Sequence, residues 1–323
     1  MNKNILPNIT VLAGGVGAAK FLQGLIKVYP EEKITIIVNT GDDIELYGLR
    51  ISPDVDIITY TLAGVVDEEK GWGFKNDTFH CLEILGTYGL ETWFKLGDKD
   101  LGTHIFRTWL LKRGFSLSEI TDIIRRRLNV KTKIIPMTDD YFQTKIKTKD
   151  GIMHFQEFYV KFKSSKEILD IIYGGAKSAK PAPGVIDSIL NAKAIIICPS
   201  NPFVSIGTIL SIQGVKEAIL KSKAPVVAIS PIIAGKTVKG PADKMLKAMG
   251  FEPTAYGVAK YYQGLLDIFF IDHSDKNLKN RIERELNMRV VITDILMRDL
   301  NDKIRLAFEV LDALGIRPKL EEE

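Results

Sequence analysis

The 323-residue sequence is short of cysteine, of long apolar runs and of excess charge, and each shortage removes a class of protein. Cys81 and Cys198 are its only cysteines, which excludes a disulfide scaffold and points to a reducing compartment. Neither has a partner at Cys-x-x-Cys spacing, so a structural zinc site of the usual kind is excluded. The most apolar later stretch, Ala224 to Ala234, contains Ser230-Pro231 and is too short to span a bilayer. No targeting segment is visible in the opening residues, which run straight into a glycine loop. A soluble cytoplasmic protein with no membrane partner is therefore expected. A formal net charge of +4, from 44 basic and 40 acidic residues, is too mild to indicate nucleic acid. It suits an anionic small ligand if the positive charge is focused in a cleft. There is no Gly-x-Ser-x-Gly elbow and no His-Glu-x-x-His, so serine hydrolysis and zinc hydrolysis are not indicated.

With 46% hydrophobic and 26% charged residues, the composition is that of a globular protein, at a length that suits about two domains. Ile9–Ala13 is a short apolar run that enters a glycine turn, after which Phe21, Leu22, Leu25 and Ile26 recur at helical spacing. Ile34–Val38 reads as a second buried strand, which completes a βαβ unit. Residues 60–130 look helical, most clearly from Ser116, where Glu119 stands at capping-box spacing. Arg125, Arg126 and Arg127 read as a solvated helix end favoured by the helix dipole. Lys133–Pro136 and Tyr141–Thr148 look like strands, with Lys149-Asp150-Gly151 turning into Met153–Phe162 as a small antiparallel hairpin. From about residue 166 the α/β rhythm returns. Strands are expected at Ala194–Cys198, Val226–Ser230, Ile268–Asp272 and Val290–Thr293, with a closing helix over Asn301–Leu314 and a frayed tail over Lys319–Glu323. The expected fold is α/β: a doubly wound, mainly parallel, Rossmann-like sheet. Residues 1–59 and 166–323 would form the core, and 60–165 a mainly helical insertion with a small β hairpin. In such sheets ligands bind beyond the carboxyl ends of the strands.

Four stretches carry residues suited to chemistry. Gly14-Gly15-Val16-Gly17-Ala18-Ala19-Lys20 matches neither Gly-x-Gly-x-x-Gly nor the Walker A loop. Its glycines still permit backbone amides to approach phosphate at a helix start, and Lys20 adds charge one turn in. The same glycines would equally serve close strand–helix packing. Asp42 and Asp43, at the end of the second strand, suit Mg²⁺ or, as readily, a turn and helix cap. In Ile51-Ser52-Pro53-Asp54-Val55-Asp56, an extended backbone would point both carboxylates the same way, so that one could accept a proton from a hydroxyl nucleophile. Turn chemistry suits Asp54 better than Asp56. Phe94 to Asp100, followed by Thr103-His104, is a dense polar stretch, read either as a loop between helices or as a site. Cys198-Pro199-Ser200-Asn201-Pro202 and Ser230-Pro231 form two rigid loops after neighbouring strands, of a kind that holds polar groups towards a ligand.

These motifs, with Asn76-Asp77-Thr78, Lys95-Leu96-Gly97-Asp98 and His154-Phe155-Gln156-Glu157-Phe158, stand in an order that resembles the 2-phospho-L-lactate transferase family over nearly the whole chain. The resemblance implies a step in coenzyme F(420) biosynthesis. Lactyl-2-diphospho-5′-guanosine would be the donor, Fo (7,8-didemethyl-8-hydroxy-5-deazariboflavin) the acceptor, and GMP a product, with Mg²⁺ required. In related bacterial enzymes the donor can carry an enolpyruvyl rather than a lactyl group, and the sequence is compatible with either. The resemblance also implies a methanogen, hence archaeal, setting and a homodimer. It places Fo at Asp56 and Lys95, with residues 60–165 on the acceptor side of the cleft. It places the guanosine diphosphate at Gly14, Gly15, Gly17, Ala18, Ala19, Lys20, Ser200, Asn201 and Pro202. On this reading Lys20, the loop amides and Mg²⁺ on Asp42 or Asp43 offset developing charge, and Asp56 orients or deprotonates the attacking hydroxyl. Val16-Gly17-Ala18-Ala19 stands where relatives can have Thr-Gly-Thr-Pro, so a side-chain hydroxyl on phosphate is lost.

Two other classes compete. A nucleotide-sugar-binding regulator of the same fold would need no acceptor site. A nicotinamide dehydrogenase is disfavoured by Lys20 in the fingerprint's last position.

Overall fold

A computed structural model describes residues 6–317. The first five residues and the Lys319–Glu323 tail expected to fray lie outside the described residues.

Seven strands make the central sheet: β1 (Ile9–Ala13), β2 (Ile34–Val38), β3 (Lys133–Pro136), β4 (Ala194–Ile197), β5 (Val226–Ile229), β6 (Ile268–Asp272) and β7 (Arg289–Thr293). They are rich in Ile and Val and almost wholly buried, the pattern of strands covered on both faces. All neighbours are parallel, in the order β7-β6-β5-β4-β1-β2-β3. Successive side chains alternate between two cores. Val11, Ile36 and Ile196 pack on one face with the helices Gly15–Val28 and Leu300–Ala313, while Leu12, Ile37 and Ile197 pack on the other. The doubly wound, Rossmann-like fold read from the sequence is thus present. Strand order reverses between β1 and β4, so their C-terminal loops diverge there and open a crevice.

The stretch between β2 and β3 is helical as expected, with helices at His80–Thr87, Asp98–Leu111 and Leu117–Arg127. The last begins with the expected capping box, Ser116 and Glu119 each accepting the other's backbone N–H. The arginines at its end are not uniformly solvated: Arg125 is buried and donates to Val130 O at 3.0 Å. The strand β3 pairs with β2 in the main sheet, although it lies within the 60–165 stretch read as an insertion. The small antiparallel element has three strands rather than two. Gln143–Thr148 pairs with both Gly151–His154 and Asp170–Gly174, and the chain after His154 coils into a π-type turn, Glu157–Lys161.

Two motifs of the helical stretch explain each other. Asp77 accepts the backbone N–H groups of Lys99 and Asp100, at the start of the Asp98–Leu111 helix. Asp98 in turn accepts from His80 N and Cys81 N, at the start of the His80–Thr87 helix. Each carboxylate satisfies the orphan amides of the other's helix. A Cβ on Gly97 would lie 2.1 Å from Asp77 Oδ2, which is why that position is glycine. This crossed arrangement anchors the backbone just after Lys95, which lines the crevice.

Among the described residues no single helix is long and apolar enough to cross a membrane.

Candidate active site

A cleft of about 710 Å³ opens at the C-terminal ends of β1, β2, β4 and β5. Of the residues singled out in the sequence, Gly14, Gly15, Gly17, Lys20, Asp42, Asp56, Lys95, Ser200 and Asn201 line it. Ala18 and Ala19 instead pack the buried face of their helix, and Pro202 is buried at the start of the turn after β4. Asp43 does not line the cleft either. It ion-pairs with Arg50 at 3.0 Å and accepts from Ser52 Oγ at 2.7 Å.

The glycine loop is shaped by close approach. A Cβ on Gly17 would lie 2.3 Å from Pro199 O, and one on Gly14 would lie 2.7 Å from Asp54 Oδ2. Ser200 Oγ donates to Gly14 O at 2.8 Å, which ties the loops after β4 and β1 together across the point where strand order reverses. Asn201 Oδ1 accepts from Phe203 N and Val204 N, so this side chain caps the turn that follows it. Lys20 reaches into the cleft with Met297 O at 3.4 Å.

Ser52-Pro53-Asp54-Val55-Asp56 is not extended. Pro53 opens a helix, Pro53–Leu62, so the two carboxylates point in different directions. Asp54 turns to the glycine loop, accepting from Gly15 N–H and from Asn39 Nδ2 at 2.9 Å. Asn39 is fully buried, and its Oδ1 accepts from Gly41 N and from Thr208 Oγ1, both at 2.7 Å. It thereby joins the end of β2 to both walls. Burial pushes the carboxyl of Asp54 up to about 6, against the pull of those hydrogen bonds. Asp42, beside it, is raised well above the ordinary carboxylate range by burial and then by the charge of Asp54. Gln156 Nε2 donates to Asp42 Oδ2 at 3.4 Å, while Asp42 Oδ1 is buried without a hydrogen-bond partner.

Asp56 faces the opposite wall. Arg107, 1% exposed, donates to both its oxygens. Arg107 also lies 3.2 Å from His104 Nδ1, and His104 Nε2 is 3.3 Å from Asp100 Oδ1, which accepts from Tyr60 OH at 2.8 Å. His104 Nε2, although close to Asp100, is buried without a hydrogen-bond partner among the described residues. Asp100, His104 and Arg107 share one face of a helix, at spacings of four and three. That spacing is the signal the sequence holds for Arg107. Above this polar floor the wall is apolar and aromatic, with Ile57, Tyr60, Trp72, Phe94 and Tyr159.

Among the described residues no group of three or more His, Cys, Asp or Glu side chains converges to hold a metal. Mg²⁺ does not need one, since it binds through one or two carboxylates together with substrate phosphate and water. The pair that meets this requirement inside the cleft is Asp42 with Asp54, not Asp42 with Asp43. The unpartnered Asp42 Oδ1 and the mutual repulsion of two buried carboxylates are what a divalent cation would relieve.

The cleft thus combines the glycine loop and Lys20 with the apolar and aromatic side chains of Ile57, Tyr60, Trp72, Phe94 and Tyr159. A family model described as 2-phospho-L-lactate transferase CofD matches residues 9–307. A phosphoenolpyruvate transferase of Streptomyces coelicolor is 44% identical over 309 residues, covering 94% of this chain and 97% of the relative. A 2-phospho-L-lactate transferase of Methanocaldococcus jannaschii is 43% identical over 311 residues, covering 95% and 98%. These relatives come from bacteria as well as methanogens, so an archaeal setting does not follow from the likeness. A crystal structure of a member of the upf0052 family from Bacillus halodurans superposes with a TM-score of 0.66 at 17% identity, over 95% of this chain and 99% of that one, and shares the fold.

Proposed function

The chain belongs to the 2-phospho-L-lactate transferase CofD family, and on that premise we propose that it transfers 2-phospho-L-lactate from lactyl-2-diphospho-5′-guanosine to the ribityl hydroxyl of Fo, releasing GMP. What supports this reading is that one cleft is lined both by a lysine-bearing glycine loop and by Asp56 and Lys95 together with the aromatic side chains of Tyr60, Trp72 and Phe94. A regulator that holds one nucleotide has no use for the second wall.

The acceptor oxygen bonds to the phosphorus next to lactate. The bond from that phosphorus to the bridging oxygen breaks, and the bridging oxygen leaves with GMP. Such a transfer has little covalent chemistry for the protein to perform, so placement and charge dominate. The amides of the glycine loop and Lys20 hold the diphosphate. Asp42 and Asp54 would hold Mg²⁺, which when bound neutralises charge on the phosphate oxygens. Asp56 accepts the hydrogen bond of the incoming hydroxyl. With Arg107 on both its oxygens, its part is to orient rather than to deprotonate. The hydroxyl proton passes to water in the cleft as the new bond forms.

Following deazaflavin fluorescence and GMP release with Fo and the donor tests the proposal, and no GMP release with both substrates refutes it. A second reading, transfer of phosphoenolpyruvate, is favoured by the Streptomyces relatives of that name. Turnover measured with each donor separates the two. We further propose a cytoplasmic homodimer. Its support is an exposed apolar face carrying Ile105, Phe106, Trp109 and Phe115, and a monomer in sedimentation refutes it.

A further inference from the structure

The segment after β5 forms a short hairpin, Ile232–Ile233 with Lys236–Thr237, and then runs across the mouth of the cleft. Its far end is pinned to the helix Ala242–Ala248: Thr237 Oγ1 donates to Asp243 Oδ1 at 2.9 Å and accepts from Asp243 N at 2.9 Å. Between these anchors Val238, Lys239, Gly240 and Pro241 all line the cleft. The residue as a whole is exposed, and the Lys239 ammonium stands beside another loop that lines the cleft. It lies 3.4 Å from Lys70 O and would be 3.2 Å from a Cβ on Gly71, in the loop that brings Trp72 to the same cleft.

Lys20 stands in the same cleft, with its own ammonium 3.4 Å from Met297 O. Both contacts are at the long limit of a hydrogen bond, and among the described residues neither lysine has a carboxylate within ion-pair distance. The two ammonium groups also act on each other. Lys239 is held below the ordinary lysine range, first by burial and then by the charge of Lys20. Two like charges turned towards one space, each with only a weak carbonyl partner, are stable together when an anion lies between them.

We infer that Lys239 is a second cation on the diphosphate of the donor, approaching it from beside the glycine loop, since a Cβ on Gly71 would lie 3.2 Å from Lys239 Nζ and 3.3 Å from Val16 Cγ1. This rests on the reading of the cleft as a donor site and adds to it a residue outside every motif that carries the family resemblance. The diphosphate is favoured over the donor's carboxylate because Lys20, the partner of Lys239, lies one turn into the helix that the glycine loop opens.

The test is calorimetric titration of the full chain with GDP in the presence of Mg²⁺, at low and at moderate salt. Lys239→Met should raise the GDP Kd at least about tenfold and flatten its salt dependence, because one screened attraction is gone. Lys239→Arg should stay near wild type. Lys236→Met, an exposed lysine of the same hairpin that does not line the cleft, should change nothing. A Lys239→Met protein that binds GDP within twofold of wild type overturns the inference. An unchanged GDP Kd with a raised KM for the complete donor also overturns it, and moves the lysine to the carboxylate. Inorganic pyrophosphate is the second probe. If wild type binds pyrophosphate but not GDP, the guanosine donor is refuted while the same Lys239→Met comparison still decides the lysine's role. If it binds neither, both readings fall.

Discussion

Removing the Arg107 guanidinium should cost far more than the surface position of most arginines suggests. Arg107 is 1% exposed and Asp56 is 5% exposed. Arg107 donates to both Asp56 oxygens and also touches His104 Nδ1 at 3.2 Å. In Arg107→Met, Asp56 keeps only His104, whose Nδ1 is 3.7 Å from Asp56 Oδ2. Stranding a buried charge in this way costs about 3–5 kcal/mol, whereas replacing both partners of a buried pair by neutral groups is often close to neutral. Urea denaturation of Arg107→Met should therefore show a loss in that range. The double variant Asp56→Asn/Arg107→Met should recover most of it, leaving about 1–2 kcal/mol of lost packing and unpaired polar groups. Activity should not follow stability: the double variant folds but lacks the carboxylate that orients Fo, and its kcat/KM for Fo should stay at least about tenfold down. A single variant that loses under about 1 kcal/mol, or a double variant whose loss equals the sum of the two singles, refutes the reasoning.

Lys20→Ala at saturating Fo should lower turnover at least about tenfold, or roughly 1.4 kcal/mol, and a smaller loss removes Lys20 from the charge balance of the transfer. Gly17→Ala forces a Cβ to 2.3 Å from Pro199 O, so thermal melts should show destabilisation of about 1–3 kcal/mol, with weaker GDP binding. Burial raises the Asp54 carboxyl to about 6 from a usual 3.8. The folded chain then binds a proton more tightly than the unfolded one between those values, so stability of the magnesium-free protein should fall as pH rises through that window. Melting profiles across it should show Asp54→Asn weakening the trend, to which the raised carboxyl of Asp42 also contributes, and added Mg²⁺ opposing it, and a flat wild-type profile contradicts the shift. Asp77→Ala leaves the Asp98–Leu111 helix uncapped, which should cost about 1 kcal/mol in denaturation and raise the KM for Fo more than that for the donor.

The sheet was legible because its strands are short runs of Ile and Val flanked by glycine or proline loops, and a strand buried on both faces needs little else to declare itself. The anion wall was legible for a related reason: a glycine turn between a strand and a helix is a local feature, and Lys20 follows within one turn. What escaped depends on contacts distant in sequence. Ser52-Pro53-Asp54 reads as extended, although proline after serine also opens helices, and the helix it opens sends the two carboxylates to different partners. Asp54 joined Asp42 only once Asn39 had brought the end of β2 against the helix Pro53–Leu62. Asp43 stood next to Asp42 in sequence, yet Arg50 and Ser52 drew it out of the cleft. Lys239 has no local pattern at all; its place depends on how the hairpin after β5 crosses the mouth.

The exchanged carboxylates of Asp77 and Asp98 have a mechanical result. Because each helix start borrows its acceptor from the stretch that opens the other, loosening either one uncovers amides at both. On the proposed reading, the acceptor would meet a wall braced at both helix starts, with Val238–Pro241 bordering the same cleft.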